Sequence, residues 1–310
     1  MTRHFIDLAS AGRDGLRAIL DEAHRRKAGR AGRTKGAPDA DAPLAGHVLA
    51  AIFERPSTRT RFSFDVAMRQ LGGSTIVTAG AEMQLGRGES IADTARVLSR
   101  MVDCIMLRCA DHATIEALGD AATVPVINGL TSLTHPCQAM ADMMTVEERL
   151  GRPVGDTCWA WCGDGNNMAH SLIEAASVMG FELRLGVPHG YDPDACILAT
   201  AEARGGNIDV LHKAATAIDG ADVVATDTWV SMGQAAPKDK LAAMAPFQVT
   251  AKLMAAAAPG AIFLHCLPVH RGEEVTSDVI DGPQSAVWDE AENRLHVQKA
   301  ILLWCLGRIG

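Results

Sequence analysis

The chain has 310 residues, enough for two domains of ordinary size, and 48% of them are apolar although aromatics make up only 4%. Its 29 basic and 37 acidic residues leave a formal charge of -8. That balance argues against nucleic acid as the main partner, because a phosphate backbone needs a broad basic face, but a small anion needs only a local cluster. The eight cysteines form no C-x-x-C pairs and none sits at zinc-finger spacing from histidine, so most are expected as buried thiols. The N-terminus lacks the apolar core of a secretion signal, and no apolar run reaches membrane-spanning length. A reducing cytoplasm is the expected location.

Taken in order, residues 5–26 predict a short entry segment and an amphipathic helix burying Leu16, Ile19, Leu20 and Ala23. Residues 27–44, polar and rich in Gly, Ala and Pro, predict a solvated loop. His47 to Phe53 reads as a strand that runs into FERPSTRTRFSFDVAMRQLGG. Pro56 cannot lie inside a helix and Ser57 or Thr58 suits an N-cap, so a helix should begin near Ser57. Phe62, Val66 and Arg69 follow at helical spacing, with Met68 and Leu71 on an adjoining stripe. A strand over 74–78, a polar glycine-containing loop over 82–90 and a helix over 91–101 come next, the helix opened by a capping-box-like Ser90 and Asp93. A strand from Cys104 to Leu107 ends at Arg108. Another over 124–128 leads through a loop to His135-Pro136-Cys137-Gln138 and a helix over 138–150.

A strand over 158–162 opens the second half and runs into Gly163-Asp164-Gly165-Asn166-Asn167, followed by a helix over 168–179. The pattern continues with a strand over 182–187, a helix over 192–204, strands over 223–226 and 261–265, and an amphipathic helix over about 291–306. That last helix offers Leu295, Ala300, Leu303 and Trp304 for packing. The alternation predicts an α/β fold of two doubly wound domains, residues 1–150 and 151–310, each a central, mostly parallel sheet flanked by helices. The last helix, about 291–310, is expected to cross back onto the first domain.

Ser57, Thr58, Arg59, Thr60 and Arg61 put three hydroxyls and two guanidinium groups in five consecutive positions at a helix start. The first amides of a helix lack intrahelical acceptors, and the helix dipole adds positive potential there. The stretch therefore reads as a cradle for a tetrahedral oxyanion such as phosphate. The turn at Gly163 suggests a dinucleotide fingerprint, but the third glycine of G-x-G-x-x-G would fall at Met168, so the match is incomplete. A nicotinamide-dependent oxidoreductase is the rival from another class, and a catalytically silent binding protein is a third.

FERPSTRTR, the polar loop, Arg108, HPCQ and a C-terminal HCLP together resemble the carbamoyltransferase family over essentially the whole chain. Asp227-Thr228-Trp229-Val230-Ser231-Met232-Gly233 is similar to the D-x-x-x-S-M-G loop of the ornithine-using branch, and His265-Cys266-Leu267-Pro268 matches its HCLP. The resemblance implies that carbamoyl phosphate and L-ornithine give L-citrulline and phosphate, a step of arginine biosynthesis. It implies a first domain for carbamoyl phosphate, a second for ornithine, a homotrimer with sites at subunit interfaces, and neither metal nor organic cofactor. A carbamoyltransferase for putrescine or an acylated ornithine is the nearest alternative.

Residue by residue, the resemblance assigns Ser57, Thr58, Arg59, Thr60, Arg108, His135, Gln138, Cys266, Leu267 and Arg294 to carbamoyl phosphate, with Gln84 reaching a neighbouring subunit. It assigns Asn167, Asp227, Ser231 and Met232 to ornithine. Arg108, His135, Gln138, Asp227 and Cys266 are its catalytic set, in which a Cys266 thiolate paired with Asp227 would assist loss of the amine proton. Taken singly, His135 or Asn167 would be a helix-start residue, Asp227 a turn residue, Cys266 an inert thiol and Arg294 a surface arginine. Two positions depart from the pattern. Arg87 stands where some relatives carry lysine near Gly88, and Gln234 stands where an acidic residue is common.

Overall fold

Short apolar runs bounded by turn residues become the strands of two parallel sheets, and the longer amphipathic segments between them become helices. The computed structural model describes residues 2–80, 88–230 and 237–310. The chain forms two units, Met1–Met144 with Glu292–Gly310, and Thr145–Ala291.

The first unit runs α1 (Gly12–Ala28), β1 (Val48–Phe53), α2 (Thr58–Gln70), β2 (Ser74–Ala79), α3 (Ile91–Leu98), β3 (Cys104–Arg108), α4 (His112–Ala121) and β4 (Val126–Leu130), and enters α5 (Pro136–Leu150). All pairings are parallel, in the order β2-β1-β3-β4. The chain thus moves one way from β1 to β2 and the other way to β3. Between β1 and β3 the loops leaving the strand ends diverge, which is where sheets of this kind form a ligand crevice. Ile52, Ile105, Leu107, Ile115, Leu118 and Val126 form a core cluster of this unit. As expected, α1 buries Leu16, Ile19, Leu20 and Ala23.

The second unit comprises β5 (Cys158–Cys162), α6 (Asn167–Met179), β6 (Glu182–Gly186), α7 (Ala195–Ala203), β7 (Ile208–Leu211), α8 (Ala214–Ile218), β8 (Val223–Thr226), α9 (Lys238–Met244), α10 (Ala251–Met254), β9 (Ile262–His265) and α11 (Ser277–Ile280). Its sheet order is β7-β6-β5-β8-β9, again all parallel, so its switch point lies between β5 and β8. Trp159 stacks on Phe181 with ring centroids 4.8 Å apart. Rings of this size remove much apolar surface from water, so the pair contributes strongly to core stability. The chain returns to the first unit within α12 (Val287–Cys305).

Beyond helices that the sequence reading did not assign, such as α4 and α8, three features differ from the sequence expectation. On α2 the buried stripe is Phe64, Ala67, Met68 and Leu71, whereas Phe62 is 67% exposed. Two interleaved apolar stripes compete on this helix, and only one can face the sheet. The edge strand β7, four residues with Asp209 in the middle, lacks the apolar run that marked the other strands. On α12 the structure buries Asn293, Arg294, His296, Gln298 and Lys299 as well as the expected Ala300, Leu303 and Trp304. The burial of Lys299 is compensated by Asp39 at 2.7 Å and by Gln70 Oε1 at 3.0 Å.

Candidate active site

Two clusters of predicted residues form, one at the switch point of each sheet. In the first unit, β1 delivers the chain to α2 through Glu54–Ser57. Ser57 is the N-cap in an extended conformation (φ -150°), yet its side chain makes no capping hydrogen bond. The first turn carries no acidic residue and instead holds Arg59, with Arg61 two positions on. Cations at a helix N-terminus oppose the dipole, and an anion bound there would offset that cost.

Thr60, buried on the first turn, ties that start to distant segments. Its Oγ1 accepts from Arg108 Nη1 at 3.3 Å and from Arg294 Nη2 at 2.7 Å. Arg108 ends β3, where the pairing with β4 shifts register so that Arg108 lies opposite Leu130 and Gly129 is the extra residue. A Cβ at Gly129 would press on the Met106 side chain and come within 3.2 Å of the Leu107 carbonyl, so the bulge is tightly packed there. The main chain of Arg108 is clamped by Glu54, whose N–H donates to the Arg108 carbonyl at 2.9 Å and whose Oε2 accepts from Ala110 N–H at 3.0 Å. Arg294, 3% exposed on α12, also donates from Nη1 to Gln138 Oε1 and lies 3.4 Å from His135 Nε2. Gln138 Nε2 in turn donates to Asp142 Oδ1 at 2.8 Å, which fixes the amide orientation. Burial, then the charges of Arg294, Arg108 and Arg59, hold the His135 imidazole well below its usual pKa. His135 is therefore a neutral ring among cations, able to offer a proton without carrying charge.

In the second unit the segments after β5, β8 and β9 meet. Gly165 allows the first of them to approach residues 191–193, where any Cβ would lie within 2.6 Å of main-chain atoms. Asn166 caps α6, its Oδ1 accepting from Met168 N–H at 2.9 Å and Ala169 N–H at 3.2 Å. These are the amides a pyrophosphate would use, so the glycine-rich turn closes on itself and does not open toward a dinucleotide. Asn166 Nδ2 donates to Asp227 Oδ2 at 3.2 Å. Asp227 Oδ1 accepts from Thr228 N–H at 2.7 Å and from Cys266 Sγ at 3.1 Å. Cys266 thus directs its Sγ at the Asp227 carboxylate, so the two residues stand as a hydrogen-bonded pair. Asn167 opens α6 beside this pair. Leu267 adopts a left-handed backbone (φ 58°) and donates its N–H to His265 Nδ1 at 2.9 Å. That contact places the His265 proton on Nε2, which faces Glu274 Oε1 at 3.1 Å.

The structure thus brings Thr60, Arg108, His135, Gln138 and Arg294 together, with Ser57, Thr58 and Arg59 at the same helix start. It separately joins Asp227 with Cys266, flanked by Asn167 and Leu267. Gln84, Arg87, Ser231, Met232 and Gln234 lie outside the described residues. Sequence reasoning passed over Asn166, Glu54, Asp142 and Glu274. Asp142 was findable from its i,i+4 spacing to Gln138, and Asn166 from its place two residues before the amide it caps. Two groups among the described residues have potential metal-ligand atoms within 4.8 Å of one another, Asp227 with His265 and Cys266, and His270 with Glu273 and Glu274. Hydrogen bonds already join Cys266 to Asp227 and His265 to Glu274.

Comparison with known proteins gives a consistent picture. Residues 3–148 match the family description "Aspartate/ornithine carbamoyltransferase, carbamoyl-P binding domain", and residues 155–305 match its "Asp/Orn binding domain". The chain is 65% identical over 310 residues to an ornithine carbamoyltransferase of Rhizorhabdus wittichii, covering 100% of both chains. It is 55% identical over 308 residues to one from Caulobacter vibrioides, covering 99% of each. Among solved structures, the ornithine carbamoyltransferase of Pyrococcus furiosus superposes with a TM-score of 0.93 at 46% identity, covering 100% of this chain and 98% of that one.

Proposed function

Because the chain belongs to the aspartate/ornithine carbamoyltransferase family, we propose that it transfers the carbamoyl group of carbamoyl phosphate to the δ-amine of L-ornithine, giving L-citrulline and phosphate. The observation that carries this reading is the meeting of Thr60, Arg108 and Arg294 beside His135 and Gln138, at the uncapped start of α2. The α2 amides, Ser57, Thr58 and Arg59 take the phosphate. Arg108, His135 and Thr60 face the carbonyl oxygen, and Gln138 takes the carbamoyl amide. Arg294 adds charge where the leaving group develops it. Gln84 would complete this end from a neighbouring subunit.

The second cluster takes the amino acid. Asn167 and Asp227 hold the α-carboxylate and α-ammonium, with Ser231 and Met232 closing over them, and Cys266 and Leu267 lie toward the reacting groups. An alkyl amine with a reference pKa near 10.4 is mostly protonated at neutral pH, so the site must hold the small neutral fraction in line with the carbonyl. The neutral nitrogen then forms the new N–C bond. Negative charge collects on the carbonyl oxygen, where fixed donors stabilise it. The bond from carbon to the phosphate oxygen breaks, and the departing phosphate is itself a base that can take the amine proton.

The same reading makes residues 1–150 the carbamoyl-phosphate domain and 151–310 the ornithine domain, in a cytoplasmic homotrimer serving arginine biosynthesis. Support for self-association is the exposure of Phe62, Ile76, Val97 and Met101 on the first unit, apolar area that a like subunit would bury. No helix among the described residues is long and apolar enough to cross a membrane. The test is citrulline formation from carbamoyl phosphate with L-ornithine, run beside L-aspartate, putrescine and N-acetylornithine. Strong preference for ornithine is expected. Preference for another amine would overturn the second-cluster assignment, and no carbamoylation of any of them would overturn the function.

A further inference from the structure

The geometry points to Asn166 as a positioning residue that fixes Asp227 for the amino-acid substrate, an inference that rests on the ornithine reading of the second cluster. Its side chain is engaged at both ends. Oδ1 accepts from the Met168 and Ala169 amides at 2.9 and 3.2 Å, and Nδ2 donates to Asp227 Oδ2 at 3.2 Å. An amide whose oxygen must receive two helix N–H groups has only one orientation, so its nitrogen faces Asp227 by necessity.

The carboxylate is held from the other side as well. Asp227 Oδ1 receives the Thr228 N–H at 2.7 Å and the Cys266 thiol at 3.1 Å. Donors on both oxygens set the plane and direction of the group, which a lone side chain at the end of β8 would not have. Asn166 also fixes the start of α6, on which Asn167 is the first residue. One side chain therefore sets the spacing between the two groups assigned to the α-substituents of ornithine. A cap alone needs only an oxygen. The demand for asparagine here comes from the nitrogen.

Two substitutions in the full chain separate the capping oxygen from the donating nitrogen. Asn166→Ser keeps a capping oxygen and loses the donor. Asn166→Asp keeps an equally good cap and sets a second carboxylate against Asp227, which repels it. Steady-state kinetics with each substrate varied in turn, alongside thermal melting, reads both effects. We expect Asn166→Ser to melt near wild type, Asn166→Asp to melt somewhat lower because of that repulsion, and both to keep their KM for carbamoyl phosphate. Asn166→Ser should lose roughly ten- to a hundredfold in kcat/KM for ornithine, the worth of a hydrogen bond to a charged group. Asn166→Asp should lose more. A purely capping role makes the aspartate variant as good as wild type, and that result, or equal losses toward both substrates, would overturn the inference. Wild type run in the same assay separates the two failures. An active wild type with a normal Asn166→Asp variant removes the role of Asn166 alone, whereas a wild type inactive on ornithine removes the substrate assignment and this inference with it.

Discussion

The junction from β1 to α2 and the junction from β5 to α6 occupy equivalent places, each leaving a strand beside the switch point of a parallel sheet. Their helix starts are finished in opposite ways. At α6, Asn166 occupies two of the first amides with its own oxygen. At α2, the Ser57 side chain makes no cap and the following turn carries Arg59 and no acid. A helix N-terminus binds anions only if its donors are left available, so topology provides the place and capping decides the use. The glycine-rich turn looks more like a phosphate loop in sequence, but it is at the serine-threonine turn that the N-cap side chain makes no capping hydrogen bond.

The comparison can be broken most severely at Arg59. Arg59→Ala removes full charge from the open helix start, and losing one side of a desolvated charge pair costs about 2–5 kcal/mol. Its KM for carbamoyl phosphate should therefore rise at least roughly thirtyfold, with ornithine saturation little changed. Unchanged saturation by carbamoyl phosphate would remove the cradle.

A smaller effect sharpens the comparison through His135, whose pKa is pushed down by burial and by Arg294, Arg108 and Arg59. Below the reference value of 6.5 the unfolded chain takes up a proton that folded His135 refuses, so the unfolded state binds more protons and stability falls with falling pH. The loss continues until pH reaches the depressed folded value. Between pH 6.5 and 5 this should amount to at most about 2 kcal/mol. Urea unfolding at both pH values should show that Asn or Gln at position 135 removes this part of the acid sensitivity. An identical pH slope in Asn- or Gln-substituted chains would contradict a neutral buried ring.

Much of this was legible because it is local. Pro56, Ser57 and the arginines after them declare a helix start and its charge within a few residues, and the apolar runs of β1, β3 and β5 declare a buried parallel sheet. The site beyond α2 was less so. Thr60 and Arg294 are 234 positions apart, and nothing in their spacing implies contact; only the likeness to a family placed Arg294 there. Nor did periodicity decide between the Phe62 and Phe64 faces of α2, because each is apolar at helical spacing and only the sheet selects one. Asn166 was hidden by its neighbour. Two adjacent asparagines look interchangeable until one is seen to cap the helix and hold Asp227.

The central claim is that α2 binds an anion because its first turn is left uncapped. The most direct test is calorimetric titration of carbamoyl phosphate into wild type and Ser57→Asp, with melting curves of both. Aspartate is a good cap and suits the dipole, so this substitution should leave the melting temperature unchanged or raise it by about 2 °C. It should also abolish measurable carbamoyl phosphate binding, because the cap carboxylate now occupies the amides and repels the phosphate. A more stable chain that no longer binds is the predicted result. Retained affinity in Ser57→Asp would contradict the account, since the anion would then be held somewhere other than the start of α2.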